Sequence, residues 1–146
     1  MSAITPAYDP TTRAIASYLQ EFMNAQAAAD HPELGKCVAG VRDFYTQLNT
    51  QDRIPLLMVY RVSGQGDRHT LRADYYMPAY NDPEKQSGIL NYARYWILRL
   101  LAEYNLNTTG YCRSIPEQDF QYQILFTTLQ RAVHPLVRVT FIVEEY

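Results

Sequence analysis

The sequence predicts an α+β domain: a mixed or antiparallel sheet of about four to five strands, including a β-hairpin, packed against two main helices. Three observations carry that expectation. Two long stretches repeat apolar residues at helical spacing, one with Ile15, Tyr18, Leu19, Phe22 and Met23 and one running from Ile89 to Tyr104. Short runs dense in β-branched and aromatic residues, bounded by Gly, Pro, Asn and Asp, lie between and after them. The resulting order is helix, strands, helix, strands, with no internal repeat and no low-complexity tract.

The length of 146 residues suits one domain spanning 1–146, large enough to bury roughly two-thirds of the surface of the unfolded chain. Residues 1–9 read as an extended N-terminal arm, since Pro6 and Pro10 block early helix hydrogen bonds and Ser2, Thr5 and Asp9 favour turns. Asp9 can cap a helix that opens on Pro10 and runs from Thr11 to Ala29, stopping at Asp30-His31-Pro32 with Gly35 as a second breaker. The segment Lys36 to Asn49 fits a helix through Val38, Val41, Phe44, Tyr45 and Leu48, or a short strand over 41–46, and its class stays open. Pro55 to Val62 reads as a strand buried on both faces. Ser63 to Arg68 holds two glycines able to take positive φ, and Leu71, Ala73, Tyr75 and Met77 then alternate with Arg72, Asp74 and Tyr76, which predicts a hairpin with one core face and one polar face.

Pro78 and Asn81-Asp82-Pro83 end that strand, and Ser87 is a plausible cap for a helix over 87–104. Its stripe of Ile89, Leu90, Ala93, Trp96, Ile97, Leu100, Leu101 and Tyr104 marks it as the central core helix. Asn105 to Gly110 breaks it, and Tyr111 to Ile115 reads as an exposed or edge strand. From Phe120 to Leu129 the alternation of Phe120, Tyr122, Ile124 and Phe126 supports a further strand, although Leu125 and Leu129 also allow a helical turn; His134-Pro135 separates it from the last segment, and Leu136 to Val143 is the strongest strand signal of the chain. The chain end after Glu144-Glu145-Tyr146 is expected to be tied into the sheet.

Composition excludes several classes of function. A formal net charge of −2 lacks the basic footprint of a domain that grips phosphates, and no apolar stretch has the length of a membrane helix. The N-terminus shows no basic region followed by an apolar run, so the chain is expected to work where it is made. Cys37 and Cys112, the only cysteines, offer no zinc site and fit a reducing compartment. His31, His69 and His134 have no partner at metal-ligand spacing, and Gly64-Gln65-Gly66 lacks the rest of a phosphate loop. Glu144 and Glu145 point to opposite faces of a strand, while Glu117 and Asp119 would share a face if extended. No serine sits in a nucleophile elbow. No catalytic, metal or cofactor residues are assigned, and the expectation is not an enzyme.

One bias points elsewhere. The chain has 13 Tyr and, as its only lysines, Lys36 and Lys85, with Arg at the other basic positions. Tyr and Arg are the side chains interfaces favour, and Lys is depleted there. Tyr75 and Tyr104 belong to core stripes, whereas Tyr76 and Tyr80, on the polar face of the hairpin and in the loop after it, would be exposed without a partner. A ligand-binding or enzymatic alternative would use a cleft between helix 87–104 and the sheet, with Arg72, Asp74 and Tyr76 as its polar groups.

An N-terminal amphipathic helix leads to Ile54-Pro55-Leu56-Leu57-Met58-Val59-Tyr60, a glycine-containing hairpin, a strand ending Tyr75-Tyr76-Met77-Pro78-Ala79, a long helix and the terminal strand Val137 to Tyr146. In this pattern and placement the chain resembles the tail terminator proteins of long-tailed bacteriophages. The resemblance implies a structural virion protein at the tail–neck junction, assembled in the host cytoplasm. There a homohexameric ring would cap the tail tube protein and face the neck or connector protein, and in a contractile tail it would also meet the sheath protein. DNA would pass through the lumen without being gripped. Another neck or head-completion subunit fits the same pattern. On this reading the candidate interface residues are Tyr60, Gly64, Gly66, Arg68, Tyr76 and Tyr80, centred on the hairpin 56–77 and its tip. The helical stripe generates a separate prediction: Trp96→Ala or Leu100→Ala should destabilise the fold by about 3 kcal/mol or more in chemical denaturation.

Overall fold

A computed structural model of the chain describes residues 9–49, 51–104, 112–129 and 131–145. Residues 1–8 of the expected arm, the expected helix break at Asn105 to Gly110, and Tyr111 lie outside the described residues. The chain folds as α+β. Helix α1 (Pro10–Asp30) is followed by the three-residue strand β1 (Gly40–Arg42), then β2 (Leu56–Gln65), β3 (Arg68–Tyr76), helix α2 (Pro83–Tyr104), β4 (Cys112–Ser114), β5 (Gln121–Leu129) and β6 (Ala132–Glu145). The sheet is mixed: β1 runs parallel to β2, and β2, β3 and β6 follow in antiparallel order. The far edge of β6 is shared, with β5 along its first nine residues and β4 at its end.

α1 starts as its sequence dictates. Asp9 accepts the Thr12 amide hydrogen bond as N-cap and Pro10 occupies the first turn. Ile15, Leu19, Met23 and Ala27, four residues apart, are all buried, whereas Phe22, expected on that stripe, is 44% exposed and stacks on Tyr18. α2 begins earlier than expected. Asp82, not Ser87, caps it by accepting from the amides of Glu84 and Lys85, so the Asp82-Pro83 pair opens a helix rather than only ending a strand. Leu90, Ala93, Ile97, Leu100, Leu101 and Tyr104 enter the core, but Trp96 is only partly buried, so its truncation should cost less than that of Leu100.

The open segment resolves as short strand plus loop. β1 takes residues 40–42, and an irregular stretch follows to the start of β2. Asn24 anchors the approach to β1, its side chain accepting from the Val38 amide at 2.7 Å and donating to the Val38 carbonyl at 3.0 Å. The hairpin is longer than expected: β2 and β3 extend to Gln65 and Arg68, leaving Gly66-Asp67 as the turn, with Gly66 at φ 63. His134-Pro135 is not a separator, because β6 begins at Ala132 and runs through both residues. Pro135 accepts from the Met77 amide but has no N–H to return, and His134 Nδ1 stands 3.3 Å from the Met77 carbonyl in its place.

Rows of paired residues cross the sheet. Leu57, Tyr75, Val137 and Ile124 form one on the helix side, and Val59, Ala73, Val139 and Tyr122 the next. The core under α1 and α2 is built from the first three members of each row. On the other side, Leu56, Tyr76 and Leu136 align with Leu125, and a second cluster of Leu56, Met58, Tyr60, Tyr76 and Leu136 is covered by Leu48 from the loop before β2. The hairpin therefore lacks the expected polar face over 73–76, where both sides are buried.

The start of α1 is tied to the sheet by Arg61, which donates to both Asp9 oxygens, at 3.1 and 3.0 Å, and also pairs with Glu145. Partial burial would raise the Asp9 pKa, but the hydrogen bonds from Arg61 and Thr12 outweigh it and hold the carboxyl below its ordinary 3.8. A lowered carboxyl pKa stabilises the folded state above the unfolded value, and that contribution disappears as pH falls through the folded one. Asp9→Ala is accordingly expected to cost about 1–2 kcal/mol at pH 7, and to show a shallower loss of stability than the parent below pH 3.8, in urea unfolding followed by circular dichroism.

Candidate functional site

The most chemically loaded group lies on the loop side of the sheet. Asp74, fully buried, faces Arg138 on the adjacent strand, whose Nε and a terminal nitrogen donate to its two oxygens at 2.9 and 3.1 Å. The Tyr60 hydroxyl donates to the same carboxylate at 2.6 Å. Burial first, and then this hydrogen bond, push the Tyr60 phenol well above its ordinary pKa. A two-pronged guanidinium and a phenol leave the carboxylate with its charge matched. Tyr76 is lifted to about 12, chiefly by burial and then by the nearby Asp74 charge, so it too stays protonated. The arrangement ties β2, β3 and β6 together through one buried carboxylate.

These positions correct two expectations. Tyr60 and Tyr76 are 8% and 6% exposed, so they pack within the chain and do not present contact surface. Arg72, Asp74 and Tyr76 lie on the face opposite α2, because even-numbered residues of β3 point away from the helices, and they cannot line a cleft beneath that helix.

At the hairpin tip, Gly64, Gly66 and Arg68 are exposed, as a contact site needs. Gly64 has a packing reason for its identity: a Cβ there would come 2.0 Å from His69 Nδ1. Arg68 pairs within the chain, 3.2 Å from Glu144 and 3.1 Å from Asp119. Glu144 turns to Arg68 while Glu145 turns to Arg61, on opposite faces as strand geometry requires. Among the described residues no group of three His, Cys, Asp or Glu side chains is placed to hold a metal ion.

Tyr80, the remaining candidate, sits at the other end of the sheet with the Lys85 ammonium 4.7 Å over its ring. It lines a groove of about 530 Å³ with Pro83 and Leu90 on one side and Ile124, Phe126 and Val133 on the other. Here lies what the sequence reading missed. Tyr122, Ile124, Phe126 and Val133 are 49%, 46%, 66% and 51% exposed, a contiguous apolar face on β5 and the start of β6. The Phe126 and Val133 end of this face lies where β6 overhangs β3: β3 pairs only from Leu136 onward, whereas β5 pairs back to Ala132. Among the described residues β5 pairs with β6 alone, so its second edge carries unpaired backbone groups. The strand reads Gln-Tyr-Gln-Ile-Leu-Phe-Thr-Thr-Leu, without a charge, a proline or a glycine, and its pairing with β6 shows no register shift. The absence of charge in that run was the available signal.

A second depression of about 440 Å³ lies between the end of α1 and α2, lined by His31, Glu33, Leu34, Lys85, Ile89 and Tyr92. Its polar groups engage one another: His31 is 3.4 Å from Glu33, and the Tyr92 hydroxyl donates to Asp30 at 2.9 Å. No described helix is long and apolar enough to cross a membrane. No family model matches the chain, and no curated protein matches it.

Removing Asp74 would leave the Arg138 guanidinium and the Tyr60 hydroxyl without their shared acceptor. Asp74→Ala is therefore expected to destabilise the fold by about 3–5 kcal/mol in equilibrium denaturation, far more than a surface carboxylate would.

Proposed function

We propose that the chain is a structural virion subunit of the tail terminator type. Copies would close as a ring that caps the tail tube and meets the neck or connector protein. The observation that carries this reading is β5: a nine-residue uncharged strand with one edge that no other described strand pairs and three exposed apolar side chains, Tyr122, Ile124 and Phe126. Soluble proteins guard such edges with charge, proline, bulges or cover, and an unguarded one fits a surface built to be covered on assembly. The exposed hairpin tip supplies a second contact zone at the opposite end of β3, roughly 30 Å away at strand rise. The Asp74 carboxylate and the Arg68 guanidinium find their partners within the chain, which fits a subunit that organises other proteins rather than one that turns over a substrate. The net charge of −2 fits a ring that lets DNA pass without binding it.

The test is localisation and mass together. Light scattering on purified protein incubated with tail tubes should yield a species containing several copies, and labelled subunits should decorate the junction of tail and head in negative-stain images. Protein that never associates with tubes, and label found elsewhere or nowhere on particles, would overturn the assignment. Label confined to the collar would favour a different neck subunit.

A further inference from the structure

We infer that β5 is a self-complementary edge through which two copies of the free chain pair, antiparallel and about a two-fold axis at Leu125. The inference concerns the protein in solution and does not rest on the ring.

Three features select a second copy as the occupant. First, the strand carries no charge from Gln121 to Leu129, so laying it against itself brings no like charges together. Second, the antiparallel register that pairs all nine residues sets Leu125 opposite itself, Ile124 opposite Phe126, Gln123 opposite Thr127 and Tyr122 opposite Thr128. Paired residues then share a face, so both helix layers fall on one side of a continuous sheet. The exposed Ile124 and Phe126 of each copy meet as one four-membered apolar cluster at the axis, beside the groove lined by Tyr80, Pro83 and Leu90. A register displaced by one residue would turn these side chains away from their partners. Third, the edge is regular along its whole length, with neither bulge nor proline to break a new ladder. Arg94 lies 5.0 Å from the centre of the Tyr122 ring, toward the Gln121 end of the strand.

Two nine-residue strands and a small apolar cluster make a modest interface, so pairing should depend on concentration. Light scattering is expected to show the mass rising from 16.9 kDa toward twice that value as the protein is concentrated. Phe126→Lys and Ile124→Lys should each hold the chain at the monomer mass with the melting temperature of the dilute, unpaired parent, because both side chains are exposed in the single chain. In a Cys112→Ser background, Leu125→Cys should form a covalent dimer under mild oxidation, since facing residues of an antiparallel pair lie about 4.5–5.5 Å apart at Cα. Gln123→Cys, whose counterpart sits four residues along, should not. A monomer at every concentration would overturn the inference. So would an assembly indifferent to Phe126→Lys, or Gln123→Cys linking as readily as Leu125→Cys. Loss of the pair with ring formation on tail tubes intact would sink this inference and leave the proposed function standing.

Discussion

Every layer of this molecule takes its orientation from β6, because that strand is paired on both edges and side chains alternate strictly along it. Val137, Val139, Phe141 and Val143 face the helices, so Tyr75, Ala73 and Leu71 on β3 must do the same. Leu136 and Arg138 face the loop side, which sends Tyr76 and Asp74 there with them. A slip of one residue between β3 and β6 would press Asp74 into the helix core with no guanidinium beside it. The buried Asp74–Arg138 pair therefore penalises wrong registers more than it stabilises the right one, since taking two charges out of water cancels much of their attraction. Arg61 extends the same logic to the helices: it sets the start of α1 against β2 and the end of β6.

Where local chemistry decides structure, the sequence was legible. The Asp9-Pro10 opening of α1, the double-sided burial of 56–60 and the strong terminal strand all follow from caps, periodicity and β-branched content. Where a distant segment decides, it was not. Tyr76 alternates with core residues and so looks exposed, but Leu48, delivered by a loop of no regular class, joins Leu125 in covering the cluster to which it belongs. That loop is held by Arg42, which pairs with Asp52 and Thr46, a contact between residues that no spacing rule connects. Asp82 outcompeted Ser87 as a cap because Pro83 is already shaped for a first helical turn, a case in which one proline supports either a strand end or a helix start. Pro135 misled for the opposite reason: at a place where β6 has run past the end of β3, its missing N–H costs little.

The candidate site shows the same division. Periodicity placed Tyr122, Ile124 and Phe126 on one face of a strand, but a period of two is identical for a central and an edge strand. Whether that face is core or surface depends on the reach of α2 and on the overhang of the β5–β6 hairpin, which are properties of the assembled sheet. Composition carried a hint that the strand pattern alone did not. A surface strand of nine residues with no lysine, glutamate or proline departs from what solubility favours.

That departure bears on how a chain with such an edge escapes open-ended association. An uncharged, regular edge exposed alone invites open-ended stacking, and the length of β5 makes the hazard real. Pairing through a two-fold axis is the one arrangement that covers both edges at once and leaves no further edge of the same kind, because an isologous contact closes on itself. The opposite side of the sheet cannot substitute: β1 contributes three residues, and Arg42 within it is engaged by Asp52. A head-to-tail contact between β5 and β1 would match nine residues against three and leave most of the apolar face wet. For the free chain, closure of β5 on itself would thus satisfy both the backbone and the side chains of the strand.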